Sequence, residues 1–259
     1  MVVVLGAGGV AFAVAWAQRG AEEASVQDAL RELGGESAGD AGFLRPAAGV
    51  YVYAGTGTER LSVLGTSQQW GPNLPGVVRH SRDACWTFKI EYSTNHWQET
   101  TYCPRDQVLE ELGGRTSQKF DFVVKAITDL SVFTCDPPGE TIRLAAEPAD
   151  HWQQSCAGRS PERGTNVRST GTNTFVGIES IRIGGRSVRS YHYRYERSLT
   201  GDQAGTEEFE IWFAVRDGLP LREVRSVRVE TPSPIGAVTY TEQGTYVLTS
   251  LTPRQPQGD

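Results

Sequence analysis

Hydrophobic and polar positions alternate along most of the chain beyond residue 49, and that period predicts strands. The clearest case is Trp86, Phe88, Ile90 and Tyr92 alternating with Cys85, Thr87, Lys89 and Glu91, followed by a Ser93-Thr94-Asn95 turn and a return strand from His96 to Cys103. With Tyr92 opposite His96, the register sets Trp86 opposite Tyr102 and Cys85 opposite Cys103. Val50–Tyr53 and Glu59–Leu64 read as a strand pair around Gly55-Thr56-Gly57. Val77–His80, Phe120–Val124, Ser131–Thr134 and Thr141–Ala145 are further strands, Asp106–Leu112 a short helix, and Glu147–Gly164 a polar irregular stretch. Phe175–Ile183 and Arg186–Leu199 flank Gly184-Gly185, a two-residue hairpin signal. Glu207–Val215 and Leu221–Glu230 flank Arg216–Pro220 with Asp217-Gly218 as the turn, and Val238–Leu251 ends the sheet. The fold class is mostly β: a large curved antiparallel sheet or unclosed β-barrel with few short helices, plus an N-terminal apolar helix.

The pattern differs at the N-terminus. Val2–Ala17 is an uncharged apolar run, long for a signal-peptide core and slightly short for a spanning helix, and Ala15-Trp16-Ala17 has the form of a signal-peptidase site. The same run contains Gly6, Gly8 and Ala11 after a Val-rich stretch, which matches a dinucleotide-binding turn. That reading needs βα alternation and an acidic residue on a second strand, and neither follows. Ala21–Leu33 is a helix pattern with Val26, Leu30 and Leu33 on one stripe, and Gly34–Gly42 is a small, polar linker. The chain therefore divides into 1–18 as signal peptide or membrane anchor, 19–43 as helix and linker, 44–253 as an extracytoplasmic β domain, and 254–259 as a disordered tail.

Composition narrows the function. Charged residues make up 22% and the net charge is −6, so there is no electrostatic footprint for nucleic acid. Cys85, Cys103, Cys135 and Cys156 lie 18, 32 and 21 positions apart, too far for zinc-ligand pairs. Two disulfides suit them, Cys85–Cys103 from the hairpin register and Cys135–Cys156 by elimination, and imply an oxidising compartment.

The hairpin Trp212-Phe213-Ala214-Val215-Arg216-Asp217-Gly218-Leu219-Pro220-Leu221-Arg222 resembles one common in the lipoprotein-carrier (LolA-like) superfamily, and Val176–Glu179 and Leu248–Pro253 fit the same scheme. Gly49–Gly65 with the Cys85–Cys103 hairpin is similar to uncharacterised secreted or membrane-anchored proteins of actinomycetes. The resemblance implies an unclosed half-barrel with helices in its concave face, binding acyl chains, lipoproteins or another envelope component, and it brings no catalytic residues.

No nucleophile elbow, metal-binding helix motif, phosphate loop or calcium loop occurs. His80, His96, His151 and His192 are scattered, and each reads as a satisfied or exposed strand histidine. Glu207, Glu208 and Glu210 form the densest acidic group; Glu208 and Glu210 share one strand face beside the strand of Arg222, Arg225 and Arg228, which reads as cross-strand pairing on a solvated face. Tyr191, Tyr193 and Tyr195 share one face with Arg189 and Arg197, opposite His192, Arg194 and Glu196; a half-buried sheet explains them better than a nucleic-acid platform. Trp70, Trp86, Trp97, Trp152 and Trp212 either line an apolar ligand pocket or form a core. The expectation is a non-enzymatic protein that binds a hydrophobic ligand or envelope component. The alternative is a sensor or interaction domain with an envelope protein as partner; a hydrolase has no motif behind it. No catalytic residue, metal ligand or cofactor is identified, the ligand-binding residues are open, and the membrane is reached through the N-terminal segment. An apolar cavity would favour the carrier, a filled core the interaction module.

Overall fold

The computed structural model describes residues 21–34, 39–62, 66–81, 83–121, 126–233 and 236–256. No helix among them is long and apolar enough to cross a membrane. The apolar segment Val2–Ala17 lies outside them.

Among the described residues, thirteen strands follow one short helix, α1 (Val26–Leu33). They are β1 (Gly49–Leu61), β2 (Ser67–Gln69), β3 (Asn73–His80), β4 (Trp86–Ser93), β5 (His96–Arg105), β6 (Val108–Asp121), β7 (Ala126–Arg143), β8 (His151–Ser160), β9 (Thr165–Ile183), β10 (Arg186–Gly201), β11 (Ala204–Ala214), β12 (Pro220–Thr231) and β13 (Val238–Leu248). Neighbours in sequence are neighbours in the sheet, all antiparallel, and β2 and β3 lie end to end along one edge of β1. The other edge of β1 pairs with β13, from Tyr53↔Leu248 to Leu61↔Tyr240. The expected unclosed sheet is therefore a closed twelve-strand barrel. Closure joins the first and last strands, a contact that no local pattern encodes, and it removes two edges that would otherwise template aggregation. The half-barrel with helices in its concave face does not form. Strand side chains fill the inside, and α1 lies outside, with Ala29 and Leu33 packed on the outward-facing Val50 and Val77. Ser25 caps α1 by accepting from the Asp28 N–H at 3.3 Å.

Three local expectations change. Gly55-Thr56-Gly57 is not a turn, because β1 runs straight through it. Gly57 and Gly244 face each other across β1 and β13, and the Trp70 indole lies on both. A Cβ on Gly57 would sit 2.3 Å from the Trp70 ring and one on Gly244 2.4 Å from it, so only glycine leaves room. Asp106–Leu112 is not a helix. Asp106-Gln107 turns the chain between β5 and β6, and Leu109 is a buried strand residue paired with Pro104 and Ile142. Pairing on both sides overrides the helical pattern. The irregular stretch Glu147–Gly164 contains β8, whose Trp152, Gln154 and Cys156 point inward.

The predicted hairpin register places Trp86 opposite Tyr102, with a bulge before Ser93↔His96 at the turn. Both disulfides form. Cys85–Cys103 has a Cα–Cα distance of 4.1 Å, and Cys135–Cys156 joins residues directly opposite on β7 and β8. Near the C-terminus, Arg254 bridges to Val50 and the Gln255 amide donates to the Ala48 carbonyl at 2.7 Å.

A circular twelve-strand barrel would be roughly 24 Å across at ordinary strand spacing and tilt. This one is flattened. Tyr102 on β5 and Phe213 on β11 come from opposite sides of the ring, yet their rings meet edge to face at 6.4 Å.

Candidate functional site

The inside of the barrel has two zones along its axis. One is apolar. Tyr53, Trp86, Tyr193, Phe213, Leu109 and Ile142 are fully buried there. Their polar tips reach backbone carbonyls: the Tyr53 hydroxyl donates to Pro220 O at 2.7 Å and the Trp86 N–H to Leu44 O at 2.9 Å. Edge-to-face rings close the middle, including Tyr53 with Tyr246 at 5.2 Å. This zone is a core.

The other zone is charged. Glu59 sits on the same strand face as Tyr51 and Tyr53 but is fully buried among polar groups. It takes hydrogen bonds from the Gln68 amide at 2.6 Å and the Trp70 N–H at 2.9 Å, and its Oε1 lies 2.6 Å from His96 Nδ1. Burial pushes its carboxyl up, but His96 and the donors outweigh burial and hold it below the usual carboxylate range. Glu242 lies beside it, accepting from the Tyr240 hydroxyl at 3.0 Å and facing Arg225 Nε at 3.1 Å. The Arg225 guanidinium spans the flattened lumen. Its Nη1 donates to Gln98 at 2.9 Å and to the Tyr92 hydroxyl, and it lies over the rings of Tyr92 and Phe209 at 5.1 and 5.0 Å. Tyr246 donates to Glu223 at 2.9 Å, next to the same arginine.

Glu59, His96 and Glu242 offer three ligand atoms within 4.8 Å of one another. Two carboxylates and an imidazole are a metal-type donor set. Here Glu59 already accepts three donors and Arg225 supplies the cation for Glu242, so the group is balanced as an ion-pair network.

A third group lies between the zones. Arg197 Nη2 donates to the Gln154 carbonyl oxygen at 3.2 Å, the Asn173 amide donates to the same oxygen at 2.9 Å, and the Gln154 amide donates to Glu111 at 2.9 Å. The inward Cys135–Cys156 disulfide lies against that glutamine, with Cys156 Sγ at 3.6 Å. Tyr195, Arg197, Glu207, Phe209 and Tyr240 are half-buried inward residues on the neighbouring strands. All five keep accessible surface, unlike the inward residues of the apolar zone. Yet burial pushes the Glu207 carboxyl up and the Tyr195 and Tyr240 hydroxyls well up.

The outer wall is charged. Arg194, Glu196, Glu208, Arg228 and Glu230 are exposed in mid-strand, unlike the apolar outer band of a membrane-spanning barrel. Trp212 is also outward, stacked on His192 at 4.1 Å with Arg222 over its ring at 4.5 Å. Glu179 accepts from the Trp212 N–H at 2.9 Å and faces His192 Nδ1 at 2.9 Å. The Trp212 N–H and His192 hold Glu179 below the usual carboxylate range.

The residues singled out from sequence are dispersed by this geometry. His80 Nε2 bonds Pro46 O at 2.7 Å, and His151 is exposed on β8. Glu208 and Glu210 do share the outer face, where Glu210 pairs with Arg194, while Glu207 points inward opposite Arg197. Arg225 likewise points inward, away from Arg222 and Arg228, because a strand alternates its faces. The tyrosines and Arg197 do share the inner face. Of the tryptophans, Trp70, Trp86 and Trp152 are inside; Trp97 is outside, under Lys89 at 5.2 Å. Sequence reasoning missed Glu59, Glu111, Glu223 and Glu242. The available signal was their parity: each shares a strand face with buried aromatic or aliphatic residues.

No protein-family model matches the sequence, and no curated protein matches it. The solved structure of the hypothetical lipoprotein YmcC of Escherichia coli (K12) is similar, with a TM-score of 0.34 and 14% identity over 88% of this chain and 98% of that chain. A likeness at that level carries no argument for fold or function.

Proposed function

We propose that this protein is a non-enzymatic, extracytoplasmic binding barrel whose ligand lodges in the lumenal space beside Tyr195, Arg197, Glu207 and Phe209. The observation that carries this reading is that these four residues, at inward positions of β10 and β11, keep accessible surface, whereas the inward Tyr53, Trp86, Tyr193 and Phe213 are fully buried. The ligand is amphipathic. Tyr195, Phe209 and the buried Phe120 offer rings, and Arg197 and Arg225 offer charge. The filled apolar zone argues against a long acyl chain running the length of the barrel. Two disulfides support an oxidising compartment, and the N-terminal apolar segment supports delivery to, or tethering at, a membrane. Saturation of the Glu59–His96 pair by neighbouring donors supports binding rather than catalysis.

A second reading, docking of an envelope protein, is favoured by the outer wall. Val224 is exposed there, on the same outward face of β12 as Arg222, which covers the Trp212 ring; tryptophan and arginine are common in interface hot spots. Native mass spectrometry of the full chain purified from a bacterial envelope separates the two. The lumenal reading expects a non-covalent small-molecule mass at one per chain. A bare chain mass, together with no binding of decyl amphiphiles, would overturn it, and an envelope crosslink through the Trp212 wall would then favour docking.

A further inference from the structure

The outer wall carries a polar cavity of its own, at the end of the barrel where Leu61 pairs with Tyr240. Its volume is about 500 Å³, and its polar lining is Arg60, Ser62, Ser67, Arg228, Thr239 and Thr241. The sheet register builds it. Arg60 stands directly opposite Ser67 on β2 and Thr241 on β13, and Thr241 stands opposite Arg228 on β12. The two arginines therefore flank one threonine, with their Cα atoms two strand spacings, roughly 10 Å, apart. Both follow buried inward residues, Glu59 and Val227, so both side chains leave from the outer face, and both are exposed.

Elsewhere on the outer wall an arginine meets a carboxylate across the strand pair, as Arg115 meets Glu99 and Arg194 meets Glu210. Arg60 has hydroxyl residues in both of those places, and no carboxylate pairs with it among the described residues. Glu230 takes one donor of Arg228 at 2.7 Å and leaves the rest of that guanidinium free to bind. Ser62 Oγ already accepts from the Thr239 N–H at 2.9 Å, which leaves its own O–H to donate. A lining of two donor-only cations and hydroxyls is satisfied by an anion with several acceptor oxygens. A carboxylate spends its two oxygens on one guanidinium fork. A phosphate monoester has three terminal oxygens, enough for both arginines and the threonine between them. We propose that this cavity binds a phosphate monoester, with Arg60 and Arg228 on its terminal oxygens and the Thr241 hydroxyl between them. The site is separate from the lumen and does not depend on the lumenal reading.

The phosphate has two possible sources, a lipid head group and a soluble ester. The Tyr240 hydroxyl accepts from the Gln118 amide, and Gln118 lies opposite His96, so the turn between β4 and β5 is at this same end. At that turn the Thr94 N–H donates to Glu22 O at 3.0 Å. The apolar segment Val2–Ala17 precedes Glu22 by a few residues, so as a membrane tether it brings lipid head groups to this end.

The test is calorimetric titration of the full chain with glycerol 3-phosphate, with dihexanoyl phosphatidic acid below its micelle concentration, and with glycerol. A phosphate probe is expected to bind at one per chain, and glycerol not at all. Arg60→Gln should weaken that binding by at least about tenfold through loss of charge-assisted hydrogen bonds. Arg194→Gln, on the outer wall but outside the cavity, should leave it unchanged. Tighter binding of phosphatidic acid assigns a lipid head group, and equal or tighter binding of glycerol 3-phosphate assigns a soluble ester. No binding of either phosphate, binding that survives Arg60→Gln, or an equal loss in Arg194→Gln overturns the proposal. Decyl amphiphiles without phosphate read the lumen independently, so neither result decides the other.

Discussion

The two zones of the barrel interior have the same wall and opposite chemistry. At one end the inward residues are Tyr53, Trp86, Tyr193 and Phe213, fully buried, with their few polar atoms donated to backbone carbonyls. At the other end β1, β12 and β13 turn Glu59, Arg225 and Glu242 inward, and between the two β10 and β11 turn Arg197 and Glu207 inward. The flattened cross-section explains how both are tolerated. Opposite walls approach closely enough for Tyr102 to touch Phe213 in one zone and for Arg225 to reach Gln98 in the other. The apolar zone stabilises the ring by area removed from water. The charged zone is held by matched partners, and burying charge costs more than it returns unless function retains it.

The contrast can be broken most forcefully in the apolar zone. Trp86→Ala removes the largest fully buried side chain and leaves Leu44 O without its donor. It should cost about 4 kcal/mol, read by denaturant unfolding at neutral pH. The charged zone gives a smaller, pH-dependent effect. Glu59 is held below its ordinary range, so its stabilisation is present above the ordinary carboxylate pKa and is lost as pH falls through the lowered folded value. Glu59→Gln should cost about 2 kcal/mol at pH 7 and progressively less in acid; a cost that does not vary with pH would refute the ionised, donor-saturated carboxylate. Glu207 has the opposite sign. Its carboxyl is raised by burial, so its contribution is intact below the ordinary value and declines as pH rises through the raised folded value. Glu207→Gln should therefore stabilise the barrel above neutrality, on the order of 1 kcal/mol, and do little near pH 4.

How much of this was legible in the sequence depends on the range of the contact. Trp86–Tyr92 with its return strand, the Gly184-Gly185 hairpin and Cys85–Cys103 are local or follow from register, and Cys135–Cys156 follows by elimination once the first pair is set. Closure of β1 on β13 joins residues such as Tyr53 and Leu248, far apart in the chain, and the pattern of either strand alone is the same in an open sheet. Asp106–Leu112 carries a helical period that pairing with two neighbours overrules. The charged zone hid for a different reason. Glutamates on an amphipathic strand are ordinarily assigned to solvent, and only the parity shared by Glu59 with Tyr53, and by Glu242 with Tyr246, places them inside.

The central claim is that one end of the lumen is solid core and the other is a ligand space. The most direct measurement compares decyl-amphiphile binding by wild type, Phe209→Trp and Tyr193→Phe. Phe209→Trp enlarges a ring on the space, and Tyr193→Phe alters only the core. The account predicts that Phe209→Trp weakens binding by at least about tenfold, while Tyr193→Phe leaves it unchanged. Binding that tolerates Phe209→Trp but is lost in Tyr193→Phe would contradict it.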